Sequence, residues 1–358
     1  MIRSLKNKIK KIIFPFLLYH REDGHLYYGE YKGSFNFWRL FFWNLIHPAR
    51  LYNRFQFGQL FKFRSKKIKN FKKKLNSQLQ NNIDSEYDNF QLCSKFKEFL
   101  ECGGVVIESY FSENKIQKFL EKHKTEIDNI KKIRTTEHNI VNQEELKITQ
   151  ELVEFWLDNK LMTFISSFID REVLARNYPY IQYHSVVEKV SSKLRYEKKT
   201  TKSEGADIWH VDTPFLCNFH VLLEDLTSED SCMQYVPYTH KFPNMGNVYS
   251  DEVVKKMGTQ PVLCVGKKGT VYMHQANTLH QFRPRPGTDR LQLHFEFTIG
   301  ANILLNCYRI SKCLSSGFDI DKLDNYKRNI IRGIFPKDIH KGYQIKKETF
   351  FPTKIKGI

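Results

Sequence analysis

Residues Arg290 to Phe297, "RLQLHFEF", alternate without a break: Arg290, Gln292, His294 and Glu296 fall on one side of a period-two pattern, Leu291, Leu293, Phe295 and Phe297 on the other. Helical spacing does not produce that division, so the segment reads as a strand with one face in an apolar core and the other lining a polar cavity. Such a strand suits a barrel whose outer side packs against helices. From Asp170 to about residue 300 the chain is strand-like with short turns.

Helices are expected upstream. Residues 86–101 read as one, Gly103 and Gly104 break it, and "VVIESYF" reads as a short strand. Ser112 is placed to cap a helix running to Lys132, with Ile116, Phe119 and Leu120 inward, and a third helix is expected over about 143–169. The expected class is α+β with a mainly β core and flanking N-terminal helices.

Charge divides the chain. Residues 1–82 hold 18 Lys/Arg against three acids, which is +15 of the net +18, and the remaining 276 residues are near neutral. The anionic partner implied by the charge therefore belongs to this extension. Ile2, Leu5, Ile9, Ile12, Ile13 and Phe16 recur at helical spacing among lysines, as in an interfacial amphipathic helix that Pro15 ends or kinks. Eleven aromatics follow between Phe35 and Phe63, and "RSKKIKNFKKKLNSQLQNN" reads as a polar, basic linker. Two roles fit: a cap packed on the main domain, or peripheral contact with anionic lipid. Nucleic acid is disfavoured, since no binding module accompanies the basic stretch.

The seven cysteines are scattered and never spaced C-x-x-C, which argues against a disulfide framework or zinc site and for a reducing compartment. A cleaved signal is not expected, and no run approaches the roughly 18 apolar residues that span a bilayer. The expected location is cytoplasmic, peripheral at the inner membrane face if the extension contacts lipid.

"IWHVDTPF", Ile208 to Phe215, sets His210 and Asp212 on one face of a strand, with Trp209 and Val211 packing on the other. With 13 histidines, an H-x-D pair arises by chance about once in every two such chains, so the pair alone says little. Downstream, "GKKGTVYMHQANTLHQFRPRPGTDRLQLHFEFT" supplies His280 before a turn and Arg290 after it. Two imidazoles and a carboxylate from separate strands make a facial triad that leaves three positions open on a metal. His184, His220 and His294 are better read as hydrogen-bonded lining or core, His240 and His274 as either, and Cys217 and Cys232 as small core residues.

This constellation resembles the phytanoyl-CoA dioxygenase family of Fe(II)- and 2-oxoglutarate-dependent oxygenases. The resemblance rests on "WHVDT", "LLEDL", "VPYTHK", "GTVYMH" and "NTLHQF" with Arg290, after a lead-in "GGVVIESYFSENKIQKF", and covers roughly residues 100 to 300. It implies a double-stranded β-helix (jelly-roll, cupin-like) barrel, with His210, Asp212 and His280 as iron ligands and catalytic centre. It implies Arg290 as the anchor for the 2-oxoglutarate carboxylate, with Gln182 and Thr278 as further polar contacts to that co-substrate. Dioxygen is the third participant, and a small or lipid-linked substrate would be hydroxylated with release of succinate and carbon dioxide. Asp212 favours hydroxylation over halogenation, which in related enzymes needs that position vacated. Tyr238 and Thr239 stand where relatives commonly have glycine and serine, and Ser231 where glycine is usual, which bears on substrate more than on iron.

The expected organisation is a basic, aromatic-rich extension over 1–82, a dioxygenase domain over 83–300 and a helical or irregular extension over 301–358. The competing function is a non-catalytic, membrane-associated binding protein that keeps the barrel.

Overall fold

A computed structural model of the chain describes residues 18–19, 26–28, 64–77, 89–132, 139–143, 149–169, 173–175, 179–185, 209–212, 217–241, 248–249, 251–299 and 323–331. The amphipathic run over residues 2–16 and most of the aromatic segment fall outside these residues. β1 (Leu18–Tyr19) and β2 (Leu26–Tyr28) pair as a short antiparallel ladder.

The basic segment read as a linker is instead helix α1 (Arg64–Ser77). Only a few of its residues are apolar, but Lys67, Phe71 and Leu75 recur every fourth position and are buried. Phe71 meets Phe96 at 4.2 Å and Phe164 at 5.5 Å between ring centres, while the Lys67 ammonium donates to the Phe168 carbonyl. A narrow stripe therefore suffices where it inserts between two helices, and a segment assigned to the extension packs into the folded core.

Those two helices are α2 (Asn89–Cys102) and, further on, α6. Gly103, at a φ of 84°, ends α2 and leads into β3 (Gly104–Ile107). Ser112 caps α3 (Glu113–Lys122) by accepting from the Lys115 N–H. The helix expected to reach Lys132 breaks at His123 and resumes as α4 (Lys124–Lys132). His123 packs on Phe119 at 4.5 Å and its ring nitrogen meets Thr149 Oγ1 at 3.1 Å. This tertiary contact accompanies a break that no glycine or proline announces.

The helix expected over 143–169 is likewise divided. Residue 143 ends a strand, β4 (Asn139–Gln143), and two short helices follow, α5 (Gln150–Trp156) and α6 (Asn159–Ile169). Thr149 caps α5, and Asp158 accepts from the Leu161 N–H at the start of α6.

The remaining elements are β5 (Val173–Ala175), β6 (Tyr180–Ser185), β7 (Trp209–His210), β8 (Cys217–Leu222), β9 (Cys232–Tyr235), β10 (Val248–Tyr249), α7 (Asp251–Lys256), β11 (Val262–Cys264), β12 (Val271–Gln275), β13 (His280–Arg283), β14 (Asp289–Ile299) and α8 (Asn325–Ile331). One sheet has the order β1-β2-β10-β7-β13-β9-β11. The other runs β3-β12-β8-β14-β6-β4, with β5 also on β14. All pairs are antiparallel except β10 with β2.

The second sheet is two-faced, as the alternation of β14 requires. Leu291, Leu293, Phe295 and Phe297, with Phe219, Val221, Val271 and Met273, join Phe71, Phe96, Phe99 and Phe164 of the helices in one apolar cluster. On its inner face Leu222 and Tyr272 meet Met233, Tyr235 and Phe282 of the first sheet, so the two sheets pack face to face. Trp209, Val211, Val236, Tyr249 and Leu279 form the outer side of the first sheet, covered by Val254 of α7. The polar residues are left between the sheets.

Candidate metal centre

His210 and His280 are Cα partners on the neighbouring strands β7 and β13. Directly opposed residues of an antiparallel pair project to one face, and the two rings lie 4.2 Å apart. Asp212 falls just beyond β7, which is shorter than the sequence suggests, so strand alternation alone does not orient it. Its backbone N–H donates to the Ala276 carbonyl at 2.7 Å, and Asn218 Nδ2 donates to its Oδ2 at 2.9 Å. Asp212 Oδ1 then stands 3.9 Å from His210 Nε2, and Oδ2 stands 3.7 Å from His280 Nε2. One ligand atom from each of the three residues lies within 4.8 Å of the others, close enough for the three to hold a single metal ion.

The His280 ring is prepared for a Lewis acid. Its Nδ1–H donates to the Thr278 carbonyl at 2.8 Å, which leaves the lone pair on Nε2 toward Asp212. Burial pushes its pKa down to about 4, so the ring is neutral near pH 7. His274, 4.0 Å from the His280 ring, and His220 beyond it are held well below the ordinary histidine range, chiefly by burial.

Arg290 occupies the same interior and is fully buried. Its Nη2 donates to His184 Nε2 at 2.9 Å, and its guanidinium carbon lies 4.7 Å from the centre of the Phe282 ring, two residues beyond His280 on β13. Its Nε and Nη1 meet no hydrogen-bond partner. Burial lowers its pKa, yet a guanidinium keeps its proton, so the cation lacks acceptors for two nitrogens. An entering carboxylate supplies two oxygens of the required kind.

Gln182 accepts from Gln292 Nε2 at 2.5 Å, and Gln292 in turn accepts from the Tyr272 hydroxyl at 2.5 Å. Gln182 thus reaches the inner face within an amide network. Thr278 lies in the turn before β13, and its hydroxyl donates to the Gly103 carbonyl at 2.6 Å. The alternation that would set it beside His280 does not extend back through that turn, and its proton is engaged in packing.

Asn218 is not among the residues that the motifs single out, whereas His184, expected as hydrogen-bonded lining or core, is hydrogen-bonded to Arg290. Both had a signal: each is a polar residue alternating with apolar ones on a strand. Tyr238, the residue standing where relatives have glycine, adopts a φ of 69°, the left-handed conformation that glycine takes without strain.

Residues 99–285 match the phytanoyl-CoA dioxygenase (PhyH) family. Among solved structures, the epimerase SnoN from nogalamycin biosynthesis, in complex with Fe3+, alpha ketoglutarate and nogalamycin RO, is 14% identical, with a TM-score of 0.45 over 59% of this chain and 85% of that one. EctD from S. alaskensis, with 2-oxoglutarate and 5-hydroxyectoine, is 15% identical, with a TM-score of 0.41 over 62% and 80% of the two chains. HygX from Streptomyces hygroscopicus, with nickel and 2-oxoglutarate, is 16% identical, with a TM-score of 0.39 over 58% and 87%. No curated protein matches the sequence. The family match spans more than half of the 358 residues and takes in His210, Asp212 and His280, and the chain belongs to the phytanoyl-CoA dioxygenase family.

Proposed function

We propose that the chain is an iron(II)- and 2-oxoglutarate-dependent oxygenase that hydroxylates a small or lipid-linked organic substrate and releases succinate and carbon dioxide. The observation that supports this most is the convergence of His210, Asp212 and His280 within 4.8 Å, in an interior that also buries Arg290 with two unsatisfied nitrogens. Iron(II), 2-oxoglutarate and dioxygen are the family's cofactor set, and the residues present fit it. Two imidazoles and one carboxylate suit a non-haem iron that must keep open positions.

Iron held there supplies oxygen activation coupled to oxidation of the co-substrate. The rest is the work of side chains. The Thr278 carbonyl fixes the His280 tautomer, and Arg290 takes the far carboxylate of the co-substrate in its fork, steadied by His184 and the Phe282 ring. Gln182 retains an amide nitrogen to donate to the co-substrate, and the facing sheets keep bulk water from the reacting centre. We read those sheets as the two halves of a double-stranded β-helix.

The test is succinate formation from 2-oxoglutarate by the full chain loaded anaerobically with iron(II). His210→Ala and Asp212→Ala are each expected to lose roughly 100-fold or more, beyond the 10–100-fold typical of outer partners of a metal site. Turnover at the parental rate in either variant discards the assignment.

A second reading concerns where the reaction occurs. α1 contains no acidic residue, and Lys66, Lys69 and Lys73 lie on the side opposite its buried stripe. This exposed lysine face supports peripheral contact with an anionic bilayer, whether or not the site turns over. Among the described residues no helix is long and apolar enough to cross a membrane.

A further inference from the structure

We infer that Asn218 is a positioning residue of the metal centre: its carboxamide engages Oδ2 of Asp212 and so fixes how the aspartate presents its oxygens to a metal. This rests on the oxygenase reading and adds to it the means by which the carboxylate ligand is oriented.

Asn218 is the second residue of β8, and strand alternation sets it on the inner face with His220 while Cys217 and Phe219 enter the helical core. Its Nδ2 donates to Asp212 Oδ2 at 2.9 Å. A carboxylate only accepts hydrogen bonds, so the amide has to turn its nitrogen toward it. The Asp212 backbone is tied separately to Ala276. The amide therefore fixes the rotation of the carboxylate rather than the course of the chain.

A carboxylate can bind a metal through one oxygen or both. The amide holds the carboxylate so that Oδ1 stands 3.9 Å from His210 Nε2 and Oδ2 stands 3.7 Å from His280 Nε2. Two imidazoles and one oxygen leave half of an octahedron for co-substrate and dioxygen, whereas binding through both oxygens would close one of those positions.

The remainder of the Asn218 environment argues against a packing role. The residue is 5% exposed, and its Oδ1 meets no hydrogen-bond partner. A buried, half-satisfied amide destabilises a fold relative to an apolar residue of the same shape. Its neighbours across the sheet, His274 on β12 and Glu296 on β14, are also polar, so the position belongs to the site-facing row.

The test titrates the metal-free full chain with Co(II) and follows its visible absorption, which reports coordination number and geometry. Asn218→Leu keeps the shape and removes the donor. It is expected to bind Co(II) about 10–100-fold more weakly, with altered bands, while its metal-free unfolding midpoint stays at or above the parental value. Asn218→Ser, which keeps a shorter donor, should fall between the two, and it carries the test should the leucine variant not fold. Co(II) affinity within about twofold of parent with parental bands overturns the inference. So does a weakened site accompanied by a lowered midpoint, which would mark a structural role. A parent that does not bind Co(II), or a His210→Ala variant that binds it like the parent, sinks the metal centre itself; a binding parent with an indifferent Asn218→Leu sinks only the role of Asn218.

Discussion

A guanidinium taken out of water keeps its charge, so the fully buried Arg290 has to be answered by an anion or by oriented acceptors. His184 answers one nitrogen, and Nε and Nη1 meet no acceptor, as the proposed carboxylate site requires. Arg290→Lys keeps the charge and loses the fork. Losing one charge-assisted hydrogen bond of about 1.5–3 kcal/mol should raise the KM for 2-oxoglutarate roughly 10–100-fold, with a smaller change in kcat. Steady-state succinate formation against 2-oxoglutarate concentration checks this, and an unchanged KM would remove Arg290 from co-substrate binding. His220 makes a second prediction, about stability. Burial first, then His294, His274, Arg290 and His280, holds its pKa well below the ordinary value. The folded state therefore keeps the ring neutral at a pH where the unfolded chain already protonates it. Its contribution is complete above the unfolded pKa of about 6.5 and is lost as pH falls below that, at about 1.4 kcal/mol per pH unit until the folded pKa is reached. Denaturant midpoints of the metal-free chain across that range should fall with acid, and His220→Asn should flatten the slope by about one proton. A variant with the parental slope would show that His220 is not what titrates.

Between residue and fold, the turn from Gln275 to Thr278 holds both halves of the site. Ala276 accepts from the Asp212 N–H and Thr278 from the His280 ring, while the Gln275 N–H and the Thr278 hydroxyl both donate to the Gly103 carbonyl. Gly103 has a φ of 84°, and a Cβ there would lie 2.3 Å from His240 Nδ1 and 2.5 Å from Thr278 Oγ1. Gly103→Ala is expected to cost about 2–4 kcal/mol from backbone strain and overpacking together, and to weaken metal binding although it touches no ligand. A parental unfolding midpoint would contradict this account of the turn. In the sequence Gly103 was legible only as a helix stop. The two-faced β14, the Ser112 cap and the packing of Trp209 on the face opposite His210 were also legible, because alternation and capping are local and depend on a few side chains. The breaks at His123 and Leu157 were not, since a ring contact and caps drawn from Thr149 and Asp158 interrupt patterns that continue as helical. Of the site, His210, Asp212, His280 and Arg290 could be picked out through a motif with a partner downstream. Asn218 could not, because its significance lies in its contact with Asp212, and spacing carries no record of that.

At the scale of the molecule, α1 changes how the basic extension can be tested. Removing residues 1–82 would also remove Phe71 and Leu75 from the core and bare Phe96 and Phe164, and losing one buried Phe alone costs about 3–5 kcal/mol. Such a truncation would confuse unfolding with lost membrane contact. Substitutions on the outer side of α1 avoid this, because Lys66, Lys69 and Lys73 are exposed and recur at three and four residues, one face of a helix whose other face is anchored. Each lysine near an anionic surface contributes about 1 kcal/mol. Changing all three to glutamine in the full chain should therefore weaken sedimentation with phosphatidylserine-containing phosphatidylcholine vesicles on the order of 100-fold, less at higher salt, with succinate formation unchanged. Equal binding to vesicles of phosphatidylcholine alone, or an unaltered affinity in the triple variant, would remove α1 from any membrane contact. A loss of duplex nucleic-acid binding in place of vesicle binding would reassign the stripe to a polyanion of a different kind. Because α1 packs directly on α2 and α6, contact made through it fixes the orientation of the β core on the surface. The charge on this helix would then decide which side of the oxygenase a lipid-linked substrate meets.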